Sequence, residues 1–210
     1  MSTCSRTITG LFDTYDDAKS AVNDIEAAGV PHRDISIVAN NIDNRYTVAG
    51  DARPSKAVKG AEAGATYGGV VGGGAGLLAG LGMLAIPGVG PVIAAGWLVA
   101  TVAGAAAGAA AGGAAGGIIG SLTNAGVSKE HAHVYAEGVR RGGTLVTARV
   151  EEDRTKAVEA IMTKYRSVDP ETRGTAYREG GWKAFDEKAP PYSASELERE
   201  RRRYPNRPAL

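Results

Sequence analysis

Three features of this chain carry groups that can do chemistry: the imidazoles of His131 and His133, the thiol of Cys4, and the small-residue run Gly72-Gly73-Gly74-Ala75-Gly76. Each fails on its surroundings. A spacing of two sets the histidines about 200° apart on a helix, and no Cys or acidic cluster completes a metal shell. Cys4 has no general-base partner, so nucleophilic catalysis is unsupported, and as the single cysteine it cannot close an intramolecular disulfide. The Gly run lacks the Gly-Lys-Ser/Thr ending of a phosphate-binding loop and is flanked by Ala/Gly sequence where a strand should precede it. The sequence therefore predicts no catalytic residues, no cofactor, no metal and no enzyme.

The information lies instead in a block from Ala63 to Ser128 that holds no Asp, Glu, Lys or Arg. The 30 glycines of the 210-residue chain are about twice the ordinary share of about 7%. Within the block they recur every fourth residue in two registers, Gly64, Gly68, Gly72, Gly76 and Gly80, then Gly104, Gly108, Gly112, Gly116 and Gly120. Residues four apart stack on one helix face, so each register predicts a ridge that admits a second backbone. Pro87, Gly88, Gly90 and Pro91 lie between the registers and predict the turn of a helical hairpin. Each arm, Ala63 to Ile86 and Val92 to Ser121, exceeds the roughly 20 apolar residues that span a bilayer. A glycine-zipper bundle packed in water is the other way to recover the roughly 1 kcal/mol that each helical Gly costs relative to Ala.

Ordinary elements flank this block. Arg6 to Phe12 suits a strand, with Gly10 weakening it or marking a close backbone approach. Thr14 and Asp17 resemble a capping box for a helix carrying Ala18, Ala21, Val22, Ile25 and Ala28, which stops at Gly29. Ile35, Ile37 and Val38 predict a second strand, and Asn40 to Ser55 a loop. Beyond the block, Ser128 caps a helix with Ala132, Tyr135, Ala136 and Val139 on one side. Thr144 to Val150 is the next strand, followed by a helix from about Arg154 to Tyr165, capped by Asp153 and burying Ala157, Val158, Ile161 and Met162. A last short strand can follow Ser167, confined to an edge by Pro170. The order predicts an α+β fold: a split ferredoxin-like βαβ-βαβ domain, helices on one face of an antiparallel sheet, interrupted by the Gly/Ala-rich hairpin. The divisions are residues 1–59, 60–127, 128–172 and a mostly disordered tail over 173–210. In that tail Trp182, Phe185 and Tyr192, followed by the charged run Glu196 to Arg203, are candidates for docking a partner protein or an anionic lipid surface.

Gly10-Leu11-Phe12 with the helix after it, the run Ile86 to Pro91, and the run Gly138 to Thr147 together resemble the bacterial general stress protein 17M-like family. The resemblance spans about residues 6 to 170 and implies a stress-associated protein; its motifs are structural and bring no catalytic residues.

The net charge of +1 creates no field that selects nucleic acid. The N-terminus has no apolar segment after a basic one, so no secretory signal is expected. Arg53, Lys56 and Lys59 before the block, and Lys129, Arg140 and Arg141 after it, place both termini in the cytoplasm if the hairpin enters the bacterial inner membrane. The leading expectation is a non-enzymatic, membrane-associated stress or scaffold protein that self-associates, with itself and the bilayer as partners. The alternative is a soluble, cytoplasmic regulatory or small-ligand-binding module that uses the hairpin as an oligomerisation arm.

Overall fold

The computed structural model describes residues 5–43, 82–99, 101 and 117–203. Strand β1 (Ser5–Phe12) leads to helix α1 (Tyr15–Ala27), whose start is fixed as the sequence predicts: the Asp17 amide donates to Thr14 Oγ1 at 3.2 Å, and that hydroxyl donates to Asp17 Oδ2 at 2.6 Å. Gly29, at φ 87°, ends it. A short 3-10 turn (His32–Asp34) feeds β2 (Ile35–Asn40), which is buried throughout. After β3 (Gly82–Ile86) and β4 (Gly90–Gly96) come α2 (Ile118–Asn124), α3 (Lys129–Arg140), β5 (Thr144–Glu151), α4 (Thr155–Lys164), α5 (Pro170–Glu179) and α6 (Ala194–Arg203). Ser128 caps α3 as expected, accepting from the His131 amide at 3.2 Å. Asp153 does not cap α4; it lies in a 3-10 turn that runs directly into the helix.

The α+β expectation holds. One antiparallel sheet has the order β1-β5-β2-β4-β3. The expected last strand is a single bridge between Val168 and Leu11, because Pro170 opens α5 with Asp169 as its cap. Two strands join that the sequence reading placed in a helical hairpin. Pro87 and Gly88 do make a turn, with the Val89 amide bonded to the Ile86 carbonyl at 3.0 Å and Gly88 at φ 74°, but it joins β3 to β4. Proline followed by a residue of positive φ is the type II pattern. Of the helical hairpin expected over 60–127, residues 82–96 are instead two strands and the turn between them. The physical reason is that β2 leaves an edge beside β5 that must be paired, and Val92, Ile93, Ala94 and Ala95 fill it, all buried. Gly64, Gly68, Gly72, Gly76, Gly80, Gly104, Gly108, Gly112 and Gly116 lie outside the described residues, whereas Gly120 lies within α2. Among the described residues no helix is long and apolar enough to cross a membrane.

Both faces of the sheet are covered, not one. Phe12, Ile35, Ile37, Val146, Ala148 and Val150 pack against Val22 and Ile25 of α1 and Val158 and Met162 of α4. Gly10 permits that approach, since a Cβ there would lie 2.9 Å from Met162 Sδ. On the opposite face Leu11, Val38, Val92 and Leu145 pack against Leu122 of α2 and Ala132, Tyr135, Ala136 and Val139 of α3. Burying an aliphatic side chain of this kind contributes about 1.5 to 3 kcal/mol. The segment expected as a mostly disordered tail carries α5 and α6 and buries Tyr177, Phe185 and Leu197 on this second side.

Candidate functional site

The densest set of functional groups sits where α3 ends. Helical spacing puts Glu137 one turn before Arg140 and Arg141, and Glu137 is fully buried in the otherwise apolar stripe of that helix. Arg141 Nε donates to Glu137 Oε1 at 2.7 Å, and its Nη1 donates to Glu200 Oε2 at 2.8 Å, so one guanidinium joins carboxylates of α3 and α6. Arg140 Nη1 lies 3.5 Å from Glu137 Oε2, and Arg203 Nη1 lies 3.2 Å from Glu200 Oε1. Burial pulls the Arg141 pKa down, but the charge and hydrogen bond of Glu137, with a further bond from Glu200, hold it above its ordinary value. Both arginines also favour the negative end of the α3 dipole. Beneath them Asn40 Nδ2 donates to the Val139 carbonyl at 3.1 Å, closing the helix end from β2.

Aromatic rings complete the arrangement. The Arg141 guanidinium lies 4.3 Å from the Tyr177 ring centroid, and that of Arg140 lies 4.9 Å from Tyr192. Burial raises the Tyr192 phenol pKa against the opposing pull of Arg141. Two more pairs hold the segment at its edges: Arg173 grips Asp13 at 2.8 and 2.9 Å, and Arg201 meets Asp43 Oδ2 at 2.6 Å. Gly142, at φ 95°, leaves room for Leu197, whose Cδ2 would stand 3.3 Å from any Cβ there.

These contacts place the residues singled out in the sequence. Phe185 is buried in the core beside Gly88, where a Cβ would come within 3.0 Å of its ring, and Pro191 packs as closely on Gly90. Turn glycine Gly88 and tail aromatic Phe185, separate features in the sequence, are in contact. Trp182 stands edge-on to Tyr177 with centroids 5.6 Å apart, and Tyr192 lies by the two arginines. Pro87 belongs to the same turn; Pro91 is the second residue of β4 and its carbonyl accepts the Asn41 amide at 2.9 Å. His131 meets Tyr135 edge-on, and His133, its pKa lowered by burial and by Lys129, does not join it in a metal site; among the described residues no group of His, Cys, Asp and Glu can hold a metal ion.

Sequence reasoning did not single out Glu137, and it gave Arg141 and Glu200 other roles, one as a flanking charge and the other within the docking run Glu196 to Arg203. A signal for the first was present, a carboxylate inside an apolar helical stripe three and four residues before two arginines. Chemically the network is an ionic clasp in which Arg140, Arg141 and Arg203 share the carboxylates of Glu137 and Glu200.

Comparisons with curated proteins and with solved structures return no match. Residues 7–87, which take in nearly all of β1, then α1, β2 and β3, match the family model described as heat induced stress protein YflT domain, in keeping with a bacterial general stress protein family.

Proposed function

We propose that the chain is a non-enzymatic, stress-associated regulatory and binding module whose C-terminal segment is a latch on the second face of its sheet. The stress association follows from the match over residues 7–87. The observation that carries the latch is Arg141 standing between buried Glu137 and Glu200. Removing one member of such a set leaves an uncompensated buried charge, so α6 is held either completely or hardly at all. That gives a partner or a change of conditions a two-state element to bias. Limited proteolysis tests it: Glu200→Gln should expose sites after Glu179 to cleavage well before the parent is cut, with α1, β5 and α4 staying protected. Protection equal to the parent would remove the latch.

This reading favours the soluble alternative over the membrane scaffold. Residues 82–96, which the spanning reading needs for its helices, are instead paired in the sheet, and no described helix suits a bilayer. An alkaline wash of bacterial membranes should leave the protein in the supernatant; retention in the pellet would restore the membrane reading. Self-association through the glycine registers is part of the same proposal, resting on their four-residue period in the sequence.

A further inference from the structure

The latch is a stretch of chain lying on a surface made by elements far from it in sequence. Residues 180–193, between α5 and α6, form neither helix nor strand. Three glycines of positive φ mark the track that they and α6 follow: an added Cβ would stand 2.8 Å from the Asp186 carbonyl oxygen at Gly88, 3.0 Å from Pro191 at Gly90 and 3.3 Å from Leu197 at Gly142. Arg140 Nη2 donates to the Pro190 carbonyl at 3.0 Å, Arg141 holds Glu200, and Arg201 reaches Asp43 beyond β2. The receiving surface is thus the β3–β4 turn, the end of α3 and the residues after β2. Along one chain it accepts, in order, a phenyl ring at Gly88, a phenol over Arg140, an apolar side chain at Gly142 and a carboxylate at Arg141. Residues 185–200 present that series, and every copy of the chain carries them.

The arm leaves α5 through a single turn. Gly181 stands at φ 85° with nothing within 4 Å of an added Cβ, so its backbone conformation, not the space around it, sets the direction of all that follows. Its amide donates to the Arg178 carbonyl at 2.9 Å, and the Trp182 amide to the Tyr177 carbonyl at 3.1 Å. Fully extended at roughly 3.3 Å per residue, 180–193 would reach about 45 Å, far enough to cross onto a neighbouring copy. Every contact between the arm and the receiving surface survives if the two belong to different chains, so exchange costs association entropy but no docking contact. Within one chain the linker keeps the arm at an effective concentration on the order of millimolar, and fold-back prevails until the clasp opens.

We propose that the opened latch recloses between copies: residues 182–203 of each chain dock on the β3–β4 turn and the α3 end of another, and the exchange is reciprocal. The inference rests on the latch reading above and goes beyond it by naming the occupant of the uncovered surface, a second copy of this chain. A closed exchange has two-fold symmetry, and each copy supplies the carboxylate that the other copy's clasp has lost.

Reciprocal charge reversal in the full chain tests the exchange. Arg141→Glu reverses the surface and keeps the arm, Glu200→Arg reverses the arm and keeps the surface, so each variant alone sets like charges together. Mixed, they are matched at both surfaces only if the arms cross: Glu200 of one chain meets Arg141 of the other, and the two introduced residues meet at the second surface. Cleavage after Glu179 tracks the open population, so each variant alone should be cut at least about tenfold faster than the parent, and the equimolar mixture should return to within about threefold of it. Gly181→Pro fixes φ at about −65° and bars the fold-back turn, so its arm should be cut readily in dilute solution and become protected as concentration rises, while protection of the parent stays independent of concentration. A mixture cut as fast as its separate components would overturn the exchange and leave the latch standing; variants as protected as the parent would overturn both. Should Arg141→Glu not fold, Gly181→Pro decides alone: protection that dilution does not change, or that is absent at every concentration, would overturn the exchange.

Discussion

Glu137 shows what one buried carboxylate does in this fold. It is fully buried and accepts from Arg141 at 2.7 Å, so Glu137→Ala takes the carboxylate from Arg140 and leaves Arg141 with Glu200 alone. Breaking a buried pair from one side costs about 3 to 5 kcal/mol, and urea unfolding should show a loss of that size, whereas Lys164→Ala, in an exposed pair with Asp24, should leave the urea midpoint close to that of the parent. Tyr135 gives a test in alkali. Burial, with a smaller contribution from the Asp169 charge, pushes its phenol up to about 12 from 10.0. A raised phenol pKa means that the folded state keeps a proton the unfolded state releases, so its contribution is complete below about pH 10 and is lost as pH rises towards 12. The urea midpoint should fall across that window, and more shallowly in Tyr135→Phe; an unchanged slope would assign the titration elsewhere. At this scale local features were legible. Thr14, Gly29 and Ser128 were identified because cap and stop chemistry is complete within a few residues. The partnership of Arg141 with Glu200 was not, because nothing near either residue encodes the other.

The β3–β4 hairpin is the element on which sequence and structure part. Its turn was recognisable from Pro87 and Gly88, but its strands were not, since Met83 to Ile86 and Val92 to Ala95 are short runs of apolar residues only: β4 is buried on both faces, and β3, although exposed at Met83 and Ala85, has no polar residue to mark the alternation, so neither shows a period that separates it from a helix. The four-residue Gly period on either side then extended a helical assignment across them. One glycine tests the element itself. Gly96 ends β4 at φ 92°, and a Cβ there would stand 2.1 Å from the Ile35 carbonyl oxygen, which is backbone and cannot rotate away. The left-handed conformation alone costs a residue with a side chain about 1 to 2 kcal/mol, so Gly96→Ala should lose more than about 2 kcal/mol in urea, or not fold. Gly126→Ala is the comparison, with φ 93° but nothing within 4 Å of an added Cβ; it should cost only the conformational part. Equal losses would mean that β4 does not press on β2 as described. The latch helices escaped sequence reading for a different reason. The buried positions of α5 are only Gly174 and Tyr177, too few to set a period, and those of α6 are Leu197 and Glu200. Their docking is decided by what they meet.

Across the molecule, the described elements place a core on each side of the sheet. Phe12, Val22, Ile37 and Val146 close one side, and Leu11, Val38, Val92, Leu122 and Leu145 close the other. Closing a loop costs free energy that grows only slowly with its length, about 0.6 kcal/mol for each doubling. Residues 60–80 and 102–116 can therefore be exchanged for Gly/Ser sequence of equal length, leaving 82–99 in place because β2 needs β4 beside it. The exchanged chain should keep a single cooperative urea transition, with a slope close to that of the parent, since the slope follows the surface exposed on unfolding. Its cross-linked oligomers should disappear, because Gly64 to Gly80 and Gly104 to Gly116 are where the self-association proposed above is assigned. Loss of both the transition and the oligomers would show that the registers belong to the fold, while an intact transition with oligomers unchanged would move self-association to another surface, for which β3 is the first place to look, an outer strand with Met83 about half exposed.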